Sequence, residues 1–281
     1  MRWRGRRKST NIEDRRGQGV IRSRKGVSGG ALIALILVGL VFGEDAQRIL
    51  SFFVGNSANQ QTQTSQQARP KNDELGDFVA TILAETEDTW QAIFAQSGNN
   101  YQAPKLVLYE NQVSSACGVS SSASGPFYCP GDYKIYIDLS FMNDLQRMGA
   151  PGDFAFAYVI AHEVGHHVQN LVGIARDVRQ QQVRASNKAQ ANALQVKMEL
   201  QADCLAGVWI NHTERRNAIL EAGDVKEGLD AAAAVGDDRI MRSAGRAPRR
   251  ENFTHGSSEE RMQWLTKGMQ SGDIQSCQTF S

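Results

Sequence analysis

The stretch Val27 to Gly43, VSGGALIALILVGLVFG, holds seventeen residues without a charge and with one hydroxyl side chain, Ser28. As a helix it would be about 25 Å long, at the short end of what crosses a bilayer. A cleaved signal peptide is the other reading of such a run, but its apolar core is usually shorter and ends at a small-x-small site. Here the run ends in Phe42-Gly43-Glu44-Asp45. The sequence therefore predicts an uncleaved signal anchor over 27–43.

Charge sets the expected orientation. Of 31 Lys and Arg against 30 Asp and Glu, ten basic residues fall within residues 1–25, opposed there only by Glu13 and Asp14. Such an arm can face nucleic acid or a membrane; next to an apolar span it reads as a cytoplasmic flank, with the rest of the chain translocated. The stretch from Asn56 to Asp73 is polar and Gln-rich, unable to bury a core, and reads as a tether. The expected organisation is a basic cytoplasmic arm (1–26), an anchor (27–43), a juxtamembrane segment and tether (44–72) and a folded domain (73–281). That places a single-pass protein in the bacterial cytoplasmic membrane with its domain outside. All four cysteines, Cys117, Cys129, Cys204 and Cys277, follow the span. In an exported domain this favours two disulfides, Cys117 with Cys129 and Cys204 with Cys277; in the cytosol they would be buried thiols.

Within the domain, apolar periodicity predicts a helix over Glu74–Gln96, and strands are expected at Pro104–Tyr109 and Tyr133–Leu139. Further helices are expected over Gly152–Val172, Asn187–Trp209, Val225–Val235 and Ser258–Gly268. A few strands followed mainly by helices make an α+β domain. The strand Tyr133–Leu139 is either a core strand or an edge to which an extended substrate adds.

His162 and His166 stand four apart on the apolar helical segment, so their imidazoles share a face and can bind one ion. Glu163 beside them can act as general base on a metal-bound water and then as acid to a leaving amine. Gly165 would keep bulk away from the ion. H-E-x-x-H also occurs by chance, and a third ligand separates chance from a site. Glu199 and Asp203 are four apart on the next long helix, among Leu200, Leu205, Ala206, Val208 and Trp209. Glu199 would complete a His2Glu zinc site with one position open, and Asp203 would accept from a ligand imidazole, His162. One Zn2+ per chain is expected. His255 can donate to a developing oxyanion and Arg261 can orient its neighbourhood or a carboxylate; the alternative for both is a solvated surface, with Thr254 or Ser257 as a helix cap. His167 reads as packed or solvated, His212 as surface, and Gly236-Asp237-Asp238 as a helix stop with room for a supporting role.

The segments HEVGHH, ELQADCLAGVW, VGDD and THGSSEERMQWL, with GPFYCP and YIDLSF before them, resemble a family of bacterial neutral zinc metallopeptidases. The resemblance covers the chain from about residue 73. It implies a zincin-like fold, with a twisted sheet above two helices, a single membrane span, His162, His166 and Glu199 as ligands, and Glu163 as catalytic acid/base. A looser likeness links the chain to membrane zinc endopeptidases that carry T-H-P where this sequence has Thr254-His255-Gly256. The expected activity is hydrolysis of peptides or unfolded proteins, with the membrane and a peptide or protein substrate as partners and no nucleic acid. The alternatives are a zinc-stabilised binding or regulatory protein that does not cut, and a zinc hydrolase acting on another amide.

Overall fold

In KLVLY and KIYID, successive side chains point to opposite faces, and both faces are apolar, so these strands must be covered on two sides. The computed structural model, which describes residues 1–18 and 73–280, covers them in that way. Strands β1 (Ile12–Asp14), β2 (Lys105–Tyr109), β5 (Phe127–Cys129) and β6 (Lys134–Asp138) form one sheet in the order β1-β2-β6-β5. The β1–β2 and β2–β6 pairs are parallel, whereas β5 runs antiparallel to β6. A hairpin of β3 (Gln112–Ser115) and β4 (Gly118–Ser121) lies beyond β2 in the chain. Leu106, Leu108, Ile135 and Ile137 face the main core, while Val107, Tyr109 and Tyr136 form a second small core with Val113 of the hairpin.

The main core is made by helices. α1 (Glu74–Gln96) starts where the Asp73 side chain accepts from the Gly76 amide at 2.9 Å, and buries Phe78, Ile82, Leu83 and Trp90. α2 (Phe141–Arg147) leads to α3 (Asp153–Leu171), whose residues Phe154 to Gly165 are all buried. After α4 (Ile174–Arg184), the thirty-residue α5 (Lys188–Asn217) crosses α3, followed by α6 (Asp224–Ala234), α7 (Asp237–Ser243) and α8 (Ser258–Ser271). Ser257 caps α8 in a reciprocal arrangement with Glu260. Close approach fixes the crossings. A Cβ on Gly165 would stand 3.0 Å from the Ala202 carbonyl oxygen of α5, so this glycine permits close helix contact.

The disulfides join Cys117 to Cys129 and Cys204 to Cys277. Pairing of this kind belongs to oxidising compartments. β6 lies inside the sheet between β2 and β5, so it is a core strand; the edge strand on that side is β5.

The membrane-anchored fold and the localisation need correction. Among the described residues no helix is long and apolar enough to cross a membrane. The expected span (27–43) and tether (44–72) lie outside the described residues. The described residues on either side of them, however, belong to one unit, Met1–Gln18 with the described chain from residue 73 onward. Ile12, Glu13 and Asp14 pair with Leu106, Val107 and Leu108, and Trp3 packs edge-on against Phe78 at 5.3 Å between ring centroids. A single-pass topology would put β1 and β2 on opposite faces of a membrane, which their hydrogen bonding forbids. The basic residues of that flank that lie among the described residues are instead paired within the domain. Arg6 meets Glu85 at 3.2 Å, Arg7 meets Glu87 at 3.1 Å, and Arg16 bridges Asp14 and Asp73.

Candidate metal centre

α3 and α5 cross with His162 and His166 on one and Glu199 and Asp203 on the other, each pair one helical turn apart. The crossing brings His162 Nε2 within 3.2 Å and His166 Nε2 within 3.4 Å of the same oxygen, Glu199 Oε2. The two imidazoles stand 4.8 Å apart, nearly perpendicular. One donor atom from each of the three residues lies within 4.8 Å of the others. The other carboxylate oxygen of Glu199 accepts from Gln195 Nε2 at 2.8 Å.

Each imidazole is held from behind. Asp203 Oδ1 accepts from His162 Nδ1 at 2.8 Å, from the Tyr158 hydroxyl at 2.5 Å and from Arg261 Nη2 at 2.9 Å. Arg261 Nε donates to Asp203 Oδ2 at 2.8 Å. A carboxylate thus placed only accepts, so His162 Nδ1 carries a proton and Nε2 is left facing Glu199. His166 Nδ1 donates to Gln169 Oε1 at 2.9 Å, which turns its Nε2 to the same point. Two imidazole nitrogens and a carboxylate oxygen, all from buried or nearly buried side chains, make a donor set of the kind that zinc accepts, and the three could hold a metal ion.

The electrostatics agree. Burial alone would lower His162, but Asp203 and the Glu199 hydrogen bond outweigh it and raise its value to about 9. Glu199, against the effect of burial, is held well below the usual carboxylate range by the two imidazoles. Asp203 is likewise held down at about 2, against burial, by Arg261 and His162. The cluster favours added positive charge between Glu199 and the imidazoles, which is what a bound cation supplies. A second carboxylate group, Asp153, Asp224 and Glu227, is satisfied differently: the Met1 amino group lies 3.0 Å from Asp153 and 3.4 Å from Asp224, and Glu227 accepts from the Phe154 amide.

The open side of the cluster faces a cavity of about 550 Å³. Glu163, His255 and Arg261 line it, together with apolar side chains including Phe141, Met148 and Ile240. Gly125 to Tyr128 at the β5 edge line another side. His255 is about half exposed, its Nδ1 3.2 Å from Asp237 Oδ1. Asp237 Oδ2 also accepts from the backbone amides of Thr254, His255 and Gly256 at 2.6, 2.6 and 3.0 Å. Gly256 has φ 95°, a conformation closed to proline, so this loop is built differently from a T-H-P turn. Arg261 is directed at Asp203 and the Val235 carbonyl. His167 is packed outside the cluster, with Nε2 2.6 Å from the Gln102 carbonyl and its value pushed down to about 4 by burial. His212 bonds the Gly272 carbonyl at 2.8 Å.

A family profile described as "Putative neutral zinc metallopeptidase" matches residues 1–280. The chain belongs to this family. It is 46% identical over 289 aligned residues to "Uncharacterized protein YpfJ" of Escherichia coli, spanning all of this chain and 99% of that protein. It is 39% identical over 215 residues to "Uncharacterized protein Rv2575" of Mycobacterium tuberculosis, across 73% of this chain and 71% of the relative. No solved structure matches the chain. The match of the zinc metallopeptidase family from residue 1 agrees with the basic segment being part of the domain.

Tyr158, Gln169 and Gln195 were not singled out in the sequence, although each lies at helical spacing from a metal-cluster residue: four before His162, three after His166 and four before Glu199. Asp237 had been read chiefly as a helix stop; only the fold brings it to His255.

Proposed function

We propose that the chain is a zinc-dependent endopeptidase acting on peptides or unfolded proteins, with one zinc held by His162, His166 and Glu199. The observation that carries this reading is the convergence of three donors, His162 and Glu199 buried and His166 partly so, at the wall of a cavity that Glu163 also lines. Zinc bound there would polarise a substrate carbonyl and acidify a water. Glu163 accepts the proton of the attacking water and returns it to the leaving amine nitrogen. His255, oriented by Asp237, donates to the carbonyl oxygen as negative charge develops on it. Asp203 and Arg261 do not touch substrate; they fix the tautomer and position of His162.

An extended substrate suits the cleft because β5 is an edge strand beside it. Pro126 and Pro130 flank that strand and lack amide donors, so backbone pairing is confined to about three residues. Cleavage of a casein-type substrate by the full chain tests the reading. Glu163→Gln should keep the zinc and lower the rate at least about 100-fold, as loss of general base catalysis does. Equal zinc binding by both proteins with no cleavage of any peptide by wild type would instead favour a zinc-stabilised binding protein.

A further inference from the structure

Gln169 and Gln201 are side-chain amides at 0% and 3% exposure in the helical core, where an unpaired amide is costly. Their partners form one directed chain. Gln169 Oε1 accepts from His166 Nδ1 at 2.9 Å, and Gln169 Nε2 donates to the Met198 carbonyl at 2.8 Å and to Gln201 Oε1 at 3.0 Å. Gln201 Nε2 then donates to the Cys277 carbonyl at 2.9 Å. Cys277 is bonded to Cys204, one helical turn from Gln201, and Thr279 donates to the Lys197 carbonyl at 2.8 Å. The chain therefore leaves His166 on α3 and ends on α5, the helix that carries Glu199.

We propose that Gln169, fixed by Gln201 and the disulfide-tied Cys277 carbonyl, is the positioning residue of His166, a neutral counterpart of Asp203 behind His162. The assignment rests on the zinc reading above. The direction of each bond supports it. Both Gln169 amide protons are used on α5, so its oxygen is turned to His166 and can only accept. That holds a proton on His166 Nδ1 and turns Nε2 toward Glu199. Because Met198 adjoins Glu199, the same amide also sets how far His166 stands from the third ligand.

Zinc affinity, measured by competition with a chromophoric chelator on the full chain, separates this role from simple core filling. Gln169→Met keeps the length and loses the acceptor; it should weaken zinc binding about 10- to 100-fold, the usual effect of removing a group that orients a ligand. Gln169→Glu keeps an acceptor oxygen for His166 but loses both donor bonds to α5; it should weaken zinc binding clearly less than Gln169→Met does, by the same principle. A merely structural amide would make both variants equally weak, and that result, or wild-type affinity in Gln169→Met, overturns the assignment. If Gln169→Met does not fold, Gln201→Met is measured: weaker zinc binding supports the chain, and unchanged affinity overturns it. A wild-type protein that binds no zinc would overturn the metal reading itself, a result distinguishable from failure of the Gln169 assignment alone.

Discussion

Asp203 concentrates the electrostatics of the site, receiving four hydrogen bonds from Tyr158, His162 and Arg261 while fully buried. Its folded value of about 2 lies below the ordinary 3.8. A depressed carboxylate contributes stability that is present above the unfolded value and lost as pH falls through the folded one, here between about pH 4 and pH 2, and worth roughly 2–3 kcal/mol. Chemical denaturation of the metal-free protein should show that loss in wild type, and a flatter dependence in Asp203→Asn; parallel curves would remove Asp203 from the balance. Asp203→Ala goes further by leaving Arg261 buried without its partner, an expected cost of about 3–5 kcal/mol. At this scale much was legible in the sequence. His162, Glu163, His166, Glu199 and Asp203 all follow from two i, i+4 spacings. The pairing of Asp237 with His255 was not legible, because eighteen residues and a loop separate them.

α3 and α5 work as elements because they pack closely. Gly165 of α3, between His162 and His166, meets Ala202 of α5, between Glu199 and Asp203, and Gly268 of α8 lies against the Cys204 carbonyl of α5, which keeps Arg261 near Asp203. Gly165→Ala should force α3 from α5 by a few tenths of an ångström and cost about 1–3 kcal/mol, the range for overpacking. The same shift should weaken zinc binding by moving His166 from Glu199. Thermal unfolding with and without chelator checks both; a variant as stable and as zinc-avid as wild type would show that the crossing has slack. The long helices were legible from apolar periodicity, since burial of one face writes a period into sequence. α5 runs on to Asn217 past the expected end at Trp209, because its last turns are polar and carry no such period. β1 escaped notice for a related reason. Its residues Ile12, Glu13 and Asp14 sit in a charged segment, and its acidic side chains find Lys134 and Arg16 only in the fold.

For the whole molecule, the basic segment is part of the core. Trp3 is 7% exposed and touches Phe78 of α1, whose ring stacks on Phe156 of α3, the helix that carries His162. Trp3→Ala should therefore destabilise the protein by about 3–5 kcal/mol, as loss of a buried aromatic does. An unchanged melting temperature would return the segment to the status of an appendage. Charge counting favoured the appendage because net charge reports solvation and not partners; the compensating acids, Asp73, Glu85 and Glu87, lie far along the chain. The central claim is that three side chains hold one zinc beside a general base. Zinc content and peptide cleavage, measured together on the full chain, test it most directly. Wild type and Glu163→Gln should each carry one zinc, Glu199→Ala almost none, and only wild type should cleave. Full zinc content in Glu199→Ala, or cleavage by Glu163→Gln at the wild-type rate, would contradict it.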